Sequence, residues 1–175
     1  KCAEGAAIAT ETTMKTHRIS AVYPRLPNDV MCEAVRVNLE LFGPPRASKK
    51  DRERVGALDY QGEFDGKIKK GMGSQGRGST DEDNVSWLSP LGRFQMVCYT
   101  QGTPGHHRDI TAQAVMPFAD RAILQTAKVF AGSAIDLILN KKVLQEARAE
   151  FKKRTKGFTY DPLIPKRQKV PVDPP

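Results

Sequence analysis

The stretch GSTDEDNVSWLSPLGRFQMVCYTQGTPGHH, Gly78–His107, decides how the chain reads. It opens as an acidic, hydroxyl-rich loop, continues as one strand-like run and closes in a Gly/Pro turn with two adjacent histidines. In Arg93–Thr100, Phe94, Met96 and Cys98 alternate with Val97 and Tyr99. Apolar residues on both faces predict a strand covered on both sides, as in an α/β sheet, so the expected fold class is α/β.

Downstream, Asp109–Val115 is a short run, and Pro117 suits the first residue of a helix. Phe118–Leu139 is the longest periodic segment, with Ala119, Ile123, Ala127, Phe130, Ala134 and Leu137 expected to face inward. Asn140 ends that helix, Lys141–Thr155 begins another with Val143, Leu144, Ala147 and Phe151 inward, and Gly157 stops it. Phe158–Pro175 carries five prolines and no period, which predicts an extended tail.

Upstream, Lys1–Thr12 reads as the end of a helix. Thr13–Tyr23 alternates like a half-buried strand, with His17, Ile19, Ala21 and Tyr23 on one face. Asn28 or Asp29 then caps a helix over Val30–Phe42, where Val30/Ala34/Val37/Leu41 and Met31/Val35/Leu39/Phe42 form one wide apolar face, ended by Gly43-Pro44-Pro45. The first 45 residues therefore predict the closing part of a small α+β unit. Arg46–Gln61 is charged enough for a short surface helix. Gly62–Gly78 places six glycines among lysines and matches neither a phosphate loop nor a dinucleotide fingerprint.

Composition narrows the function. A hydrophobic fraction of 39% in 175 residues supports a packed core. No run approaches 18 apolar residues by this reading, so no membrane span or membrane partner is expected, and KCAEGAAIATE does not read as a signal peptide. The opening residues read as the middle of a helical pattern, so the expectation is a chain cut from something longer. Cys2, Cys32 and Cys98 are far apart and odd in number, which predicts reduced thiols in a cytoplasmic protein. The net charge of +8 lies in loops, helix ends and the tail without aromatic interleaving, so solvated surface charge is expected rather than nucleic acid.

The chemistry-bearing residues are few. His106 follows a tight turn just past the expected strand, where α/β sheets build sites, and neutral imidazole is a common metal ligand. From the sequence alone the preferred reading is a histidine packed in a polar turn. His107 reads as a supporting group, a substrate contact or surface. Asp81, Glu82 and Asp83, beside Ser79 and Thr80, either orient a ligand or cap a short helix at Asn84–Leu88. Ser79 is not in a nucleophile elbow. His17 reads as a half-buried partner of a hydroxyl or carboxylate, or as a group reaching a neighbouring subunit. A hydrolytic metal site needs three or more ligands and a general base. With three histidines and no HExxH, the remaining ligands are expected from outside the chain.

The order GSTDEDNVSW, strand, GTPGHH and then AKVFAGSAIDLI resembles the C-terminal part of the co-catalytic metallopeptidase and aminoacylase family, in its aminobenzoyl-glutamate hydrolase-like branch. ATETTMKTHRISAVYPRLPNDVMCEAV resembles the closing part of that family's inserted lid, or dimerisation, domain. The resemblance covers about residues 1–165. It implies a two-lobed hydrolase with an α/β catalytic lobe, a ferredoxin-like α+β lid that often mediates dimers, and two divalent metal ions, zinc or manganese. It divides the chain into the end of the lid (1–45), a connecting segment (46–78), the C-terminal part of the catalytic lobe (79–160) and an extended tail (161–175).

By position in the motif, His106 is similar to the family's last metal ligand. Ser79, Thr80 and Asp81 match its substrate-side loop, and Asn28 matches the lid asparagine that approaches substrate. Asp81 or Asp83 would orient the site, and His107 and His17 stay unassigned. The family's remaining ligands and its catalytic glutamate have no counterpart here. The implied partner is therefore an N-terminal portion or a companion chain, with dimerisation through the lid. The implied reaction is cleavage of an amide bond in an N-acyl amino acid, dipeptide or aminobenzoyl-glutamate-like substrate. Two other readings stand beside it: a non-catalytic interaction or dimerisation subunit, and a basic nucleic-acid-binding domain.

Overall fold

The computed structural model describes residues 1–16, 18–58, 62–68, 80–164 and 166–169. Its regular elements are seven helices: α1 (Cys2–Ala9), α2 (Asp29–Phe42), α3 (Lys49–Ala57), α4 (Glu82–Val85), α5 (Arg108–Ala114), α6 (Pro117–Leu139) and α7 (Lys141–Arg154).

The centre of the molecule is α2 laid against α6 and α7. Helix ends leave unpaired amides and carbonyls, and here distant side chains supply the partners. At the start of α2, Asn28 Oδ1 accepts the Met31 amide at 2.9 Å, and the two Glu150 carboxylate oxygens accept the Asp29 and Val30 amides at 3.0 Å each. At its end, Gln125 Nε2 donates to the carbonyls of Phe42 and Gly43. Both termini of α2 are thus closed by residues of α6 and α7. Between them the backbones approach closely. A Cβ on Gly132 would overlap Asn38 Oδ1 and lie 2.8 Å from Phe42 Cε2. Asn38, itself buried, donates to Asp136 Oδ2 at 2.6 Å.

α3 is begun by a capping box in which Ser48 and Asp51 exchange hydrogen bonds. Asp51 also binds Arg121 of α6 at 2.5 Å, and Phe64 stacks on the buried Phe118 with ring centres 4.0 Å apart. After Gly157, whose φ of +79° ends α7, Phe158 and Tyr160 join Tyr23 and Trp87 in an aromatic cluster. Tyr23 donates to the Asp161 carbonyl and Arg18 to the Leu163 carbonyl, so the chain after α7 is seated on residues 18–23.

The structure corrects the expected α/β class and the α+β lid: among the described residues there are helices and no strand or sheet. A strand is defined by its partner, and among the described residues neither alternating run has one. Along residues 93–99 the half-buried Phe94, Met96 and Cys98 keep the expected alternation, but no ladder forms beside them. The backbone pairing that adjoins the run is a single bond, Gln101 N–H to the Glu63 carbonyl at 2.8 Å. In Thr13–Tyr23 the alternation does not set the burial: Ile19 is 65% exposed, and only the end of the run, from Ala21 to Tyr23, is half-buried. His17 lies outside the described residues, as do residues 69–79 of the glycine-rich stretch.

The inward face of α6 also differs from the expected stripe. The helix buries Phe118, Ala119, Ala122, Val129 and Ser133, while Ile123, Ala127, Phe130 and Ala134 of that stripe are exposed. It is apolar nearly all round, so periodicity alone does not choose between its faces. Its 23 residues, with a mean hydropathy of 1.5 over the most apolar 18-residue window, also satisfy the length and composition of a membrane span, contrary to the expectation from sequence. The hydrogen bonds of Gln125 and Asp136 to α2 are those of a helix packed within a protein.

Candidate functional site

The turn 102–107 leaves a buried anchor. Thr100 is 1% exposed, and its amide donates to Gln113 Oε1 at 2.8 Å. Gln113 Nε2 donates to Thr103 Oγ1 at 3.0 Å, and Thr103 Oγ1 donates to the Thr100 carbonyl at 2.8 Å. From this knot the chain passes through Gly102 at φ +87° and reaches His106 at φ +55°. A left-handed conformation is ordinary for glycine and costly for histidine, so it persists where the surroundings fix it.

His106 and His107 line one open depression of about 610 Å3 together with Tyr99, Gly105, Arg108, Ile110 and Thr111. His107 occupies the N-cap position of α5. Its Nδ1 lies 3.0 Å from Asp109 Oδ2 and 3.4 Å from the Asp109 amide. One nitrogen cannot donate to the first and accept from the second. As the N-cap side chain, Nδ1 accepts the Asp109 amide, with the carboxylate of the same residue beside it. Arg108, also in the depression, has its Nε 3.7 Å from Asp109 Oδ1.

The other sequence candidates do not line this depression. Asn28 is 2% exposed, and besides capping α2 it donates to the Ala147 carbonyl at 2.9 Å. Thr80 Oγ1 accepts the Glu82 amide at 3.4 Å, and Asp81 precedes α4 without a side-chain cap bond. Asp83 is buried, with Oδ1 2.7 Å from Arg25 Nη2; Glu82 Oε1 lies 2.9 Å from both Arg25 Nη2 and Arg93 Nε. The Arg25–Asp83 contact is an ion pair without hydrogen-bond alignment, since Asp83 Oδ1 and Arg25 Nε are buried without a hydrogen-bond partner among the described residues. Ser79 and His17 fall outside the described residues.

Cys2, Cys32 and Cys98 are free, and burial pushes the Cys98 thiol above its ordinary value. Among the described residues, no group of three or more His, Cys, Asp and Glu is gathered to hold a metal ion. The residues present do not make a cation site on their own.

Sequence reasoning missed Thr100, Thr103 and Gln113. The available signal was Gln113 itself, an uncharged polar residue in the otherwise apolar run Ala112–Met116.

The turn thus presents two exposed imidazoles beside Tyr99 and Arg108. The chain is 27% identical, over an alignment of 198 residues, to one of the subunits of p-aminobenzoyl-glutamate hydrolase from Escherichia coli (strain K12). The alignment covers 95% of this chain and 41% of that protein, so the chain spans less than half the length of the curated relative it matches. The resemblance carried by GSTDEDNVSW and GTPGHH to the aminobenzoyl-glutamate hydrolase-like branch is borne out by this match. No family model matches the chain. No solved structure matches it either.

Proposed function

We propose that this chain is part of a metal-dependent amidohydrolase or peptidase acting on an N-acyl amino acid, dipeptide or aminobenzoyl-glutamate-like amide. The observation that carries the reading is similarity to a hydrolase subunit along nearly the whole chain, including the turn that presents His106. His106 contributes one ligand to a site completed from outside this chain, and two zinc or manganese ions are the groups it serves. The ligands gathered among the described residues are too few to hold an ion without that outside contribution.

What the chain's own residues do is more limited. The knot at Thr100 and Gln113 holds the turn, and the Asp109 amide holds the His107 ring through Nδ1. Tyr99 and Arg108 border the depression and bind or orient a substrate there. Ser79, Thr80 and Asp81 form the substrate-side loop of this reading, and Asn28 reaches substrate only through a rearrangement that frees it from Ala147. The partner is the remainder of the enzyme or a companion chain in a dimeric, cytoplasmic assembly.

A second reading, a non-catalytic interaction subunit, is favoured by the incomplete ligand set. Intact-mass analysis of the purified protein, followed by amide-hydrolysis assays with and without this chain, separates the two. Hydrolysis that requires the chain supports the first reading, and full activity without it supports the second.

A further inference from the structure

We propose that Gln113 is a positioning residue for the 102–107 turn, and through it for His106. The proposal deepens the hydrolase reading and rests on it for its functional half.

The amide of Gln113 is 1% exposed and uses both ends. Its oxygen takes the Thr100 N–H at the start of the loop, and its nitrogen reaches Thr103 inside it, while the residue itself belongs to α5, which begins where the loop finishes. One side chain therefore ties the entry, the interior and the exit of the segment carrying both histidines. The Thr100 and Thr103 hydroxyls lie 3.1 Å apart, and the Thr103 amide returns to the Thr100 carbonyl at 3.3 Å, so the knot is closed on itself. Buried polar networks of this kind are rigid when every member is satisfied and fail together when one is removed. His106 sits at φ +55° three residues past Thr103, with its exposed ring at the rim of the depression. The backbone, braced by Gln113, is what fixes the direction of its imidazole.

The test uses the full enzyme containing this chain. Gln113→Met keeps the volume and removes both hydrogen bonds. Thr103→Ser keeps the hydroxyl and with it every hydrogen bond of the knot, and is the conservative control. Thr103→Val keeps the bond of Gln113 to the Thr100 amide, removes the hydroxyl contacts of Thr103, and guards against a folding failure of the methionine variant. Hydrogen exchange at the Thr100–His107 amides and the split between kcat and KM are the readouts.

The expected result for Gln113→Met is exchange faster by about tenfold in that segment, the equivalent of one lost hydrogen bond. A fall in kcat that exceeds any change in KM accompanies it, with Thr103→Val giving an effect of the same kind and Thr103→Ser retaining both native values. Native exchange in Gln113→Met overturns the proposal. Faster exchange with unchanged kcat also overturns it, because the role is then structural only. His106→Ala run in parallel tests the reading beneath it. Loss of activity in His106→Ala with full activity in Gln113→Met sinks the positioning role alone, and full activity in both sinks the hydrolase assignment of the turn as well.

Discussion

Asn28 Nδ2 donates to the carbonyl of Ala147 at 2.9 Å, joining residues 119 apart in sequence, while its Oδ1 caps α2 through the Met31 amide. Both polar ends of a nearly fully buried side chain are occupied. Removing them leaves unpaired groups in a dry contact between α2 and α7, which costs more than the bonds themselves contribute. Asn28→Ala is expected to destabilise the fold by about 2–3 kcal/mol. Asn28→Asp retains the cap but loses the donor and falls between. Denaturant midpoints of the three proteins check the order.

The contact between α2 and α6 depends on a residue with no side chain. Gly132→Ala drives a methyl group into Asn38 and Phe42, and Asn38 is held by Asp136 and cannot simply swing away. Overpacking of this kind costs about 1–3 kcal/mol. A lowered melting temperature is expected, and a substitution at Gly105, where a Cβ meets nothing within 4 Å, serves as the control.

Acid weakens the fold through two carboxylates. At Asp51 burial opposes the charge, but the Ser48 hydroxyl and amide and the Arg121 guanidinium outweigh it and hold the group below its ordinary 3.8. At Glu150 burial is likewise outweighed, here by the Asp29 and Val30 amides and by Arg154, holding it below 4.5. A depressed folded-state value means that unfolding takes up protons in acid. Both contributions are therefore whole above the ordinary carboxylate range and are lost as pH falls through the folded values. Melting temperatures followed from neutral pH downward should drop in that range, and Asp51→Asn should flatten the drop while lowering the plateau at neutral pH.

The acidic loop before Trp87 is held by arginines. Asp83 is buried beside Arg25, and Glu82 is shared by Arg25 and Arg93. Breaking a mostly buried pair from one side strands the other charge. Arg25→Met is expected to cost about 1–3 kcal/mol, discounted for the partial exposure of Arg25. Asp83→Asn in the same background should recover part of the loss. A double-mutant cycle on thermal stability measures the coupling.

The helices were legible from sequence because their signals are local. Asn28, Pro117, Asn140 and Gly157 mark ends that the structure keeps, and α2, α6 and α7 run close to their expected bounds. The sheet was not, because alternation in Arg93–Thr100 records what a residue would cover and says nothing about which segment would pair with it. The inward face of α6 was illegible for a related reason: Ile123 and Phe130 are as apolar as Phe118 and Val129, and only the shape of α2, with Asn38 and Phe42 meeting Gly132, selects between them. At the site, the two histidines stood out by residue type. Thr100, Thr103 and Gln113 did not, since uncharged polar residues acquire meaning only through their mutual distances.

Zinc or manganese content and amide hydrolysis of the full enzyme, measured for the unaltered protein and for His106→Ala, test the central claim most directly. The account predicts that His106→Ala loses hydrolysis by at least about a hundredfold and binds less metal, while the melting temperature holds, because the side chain is exposed. Unchanged metal content together with unchanged hydrolysis would contradict it.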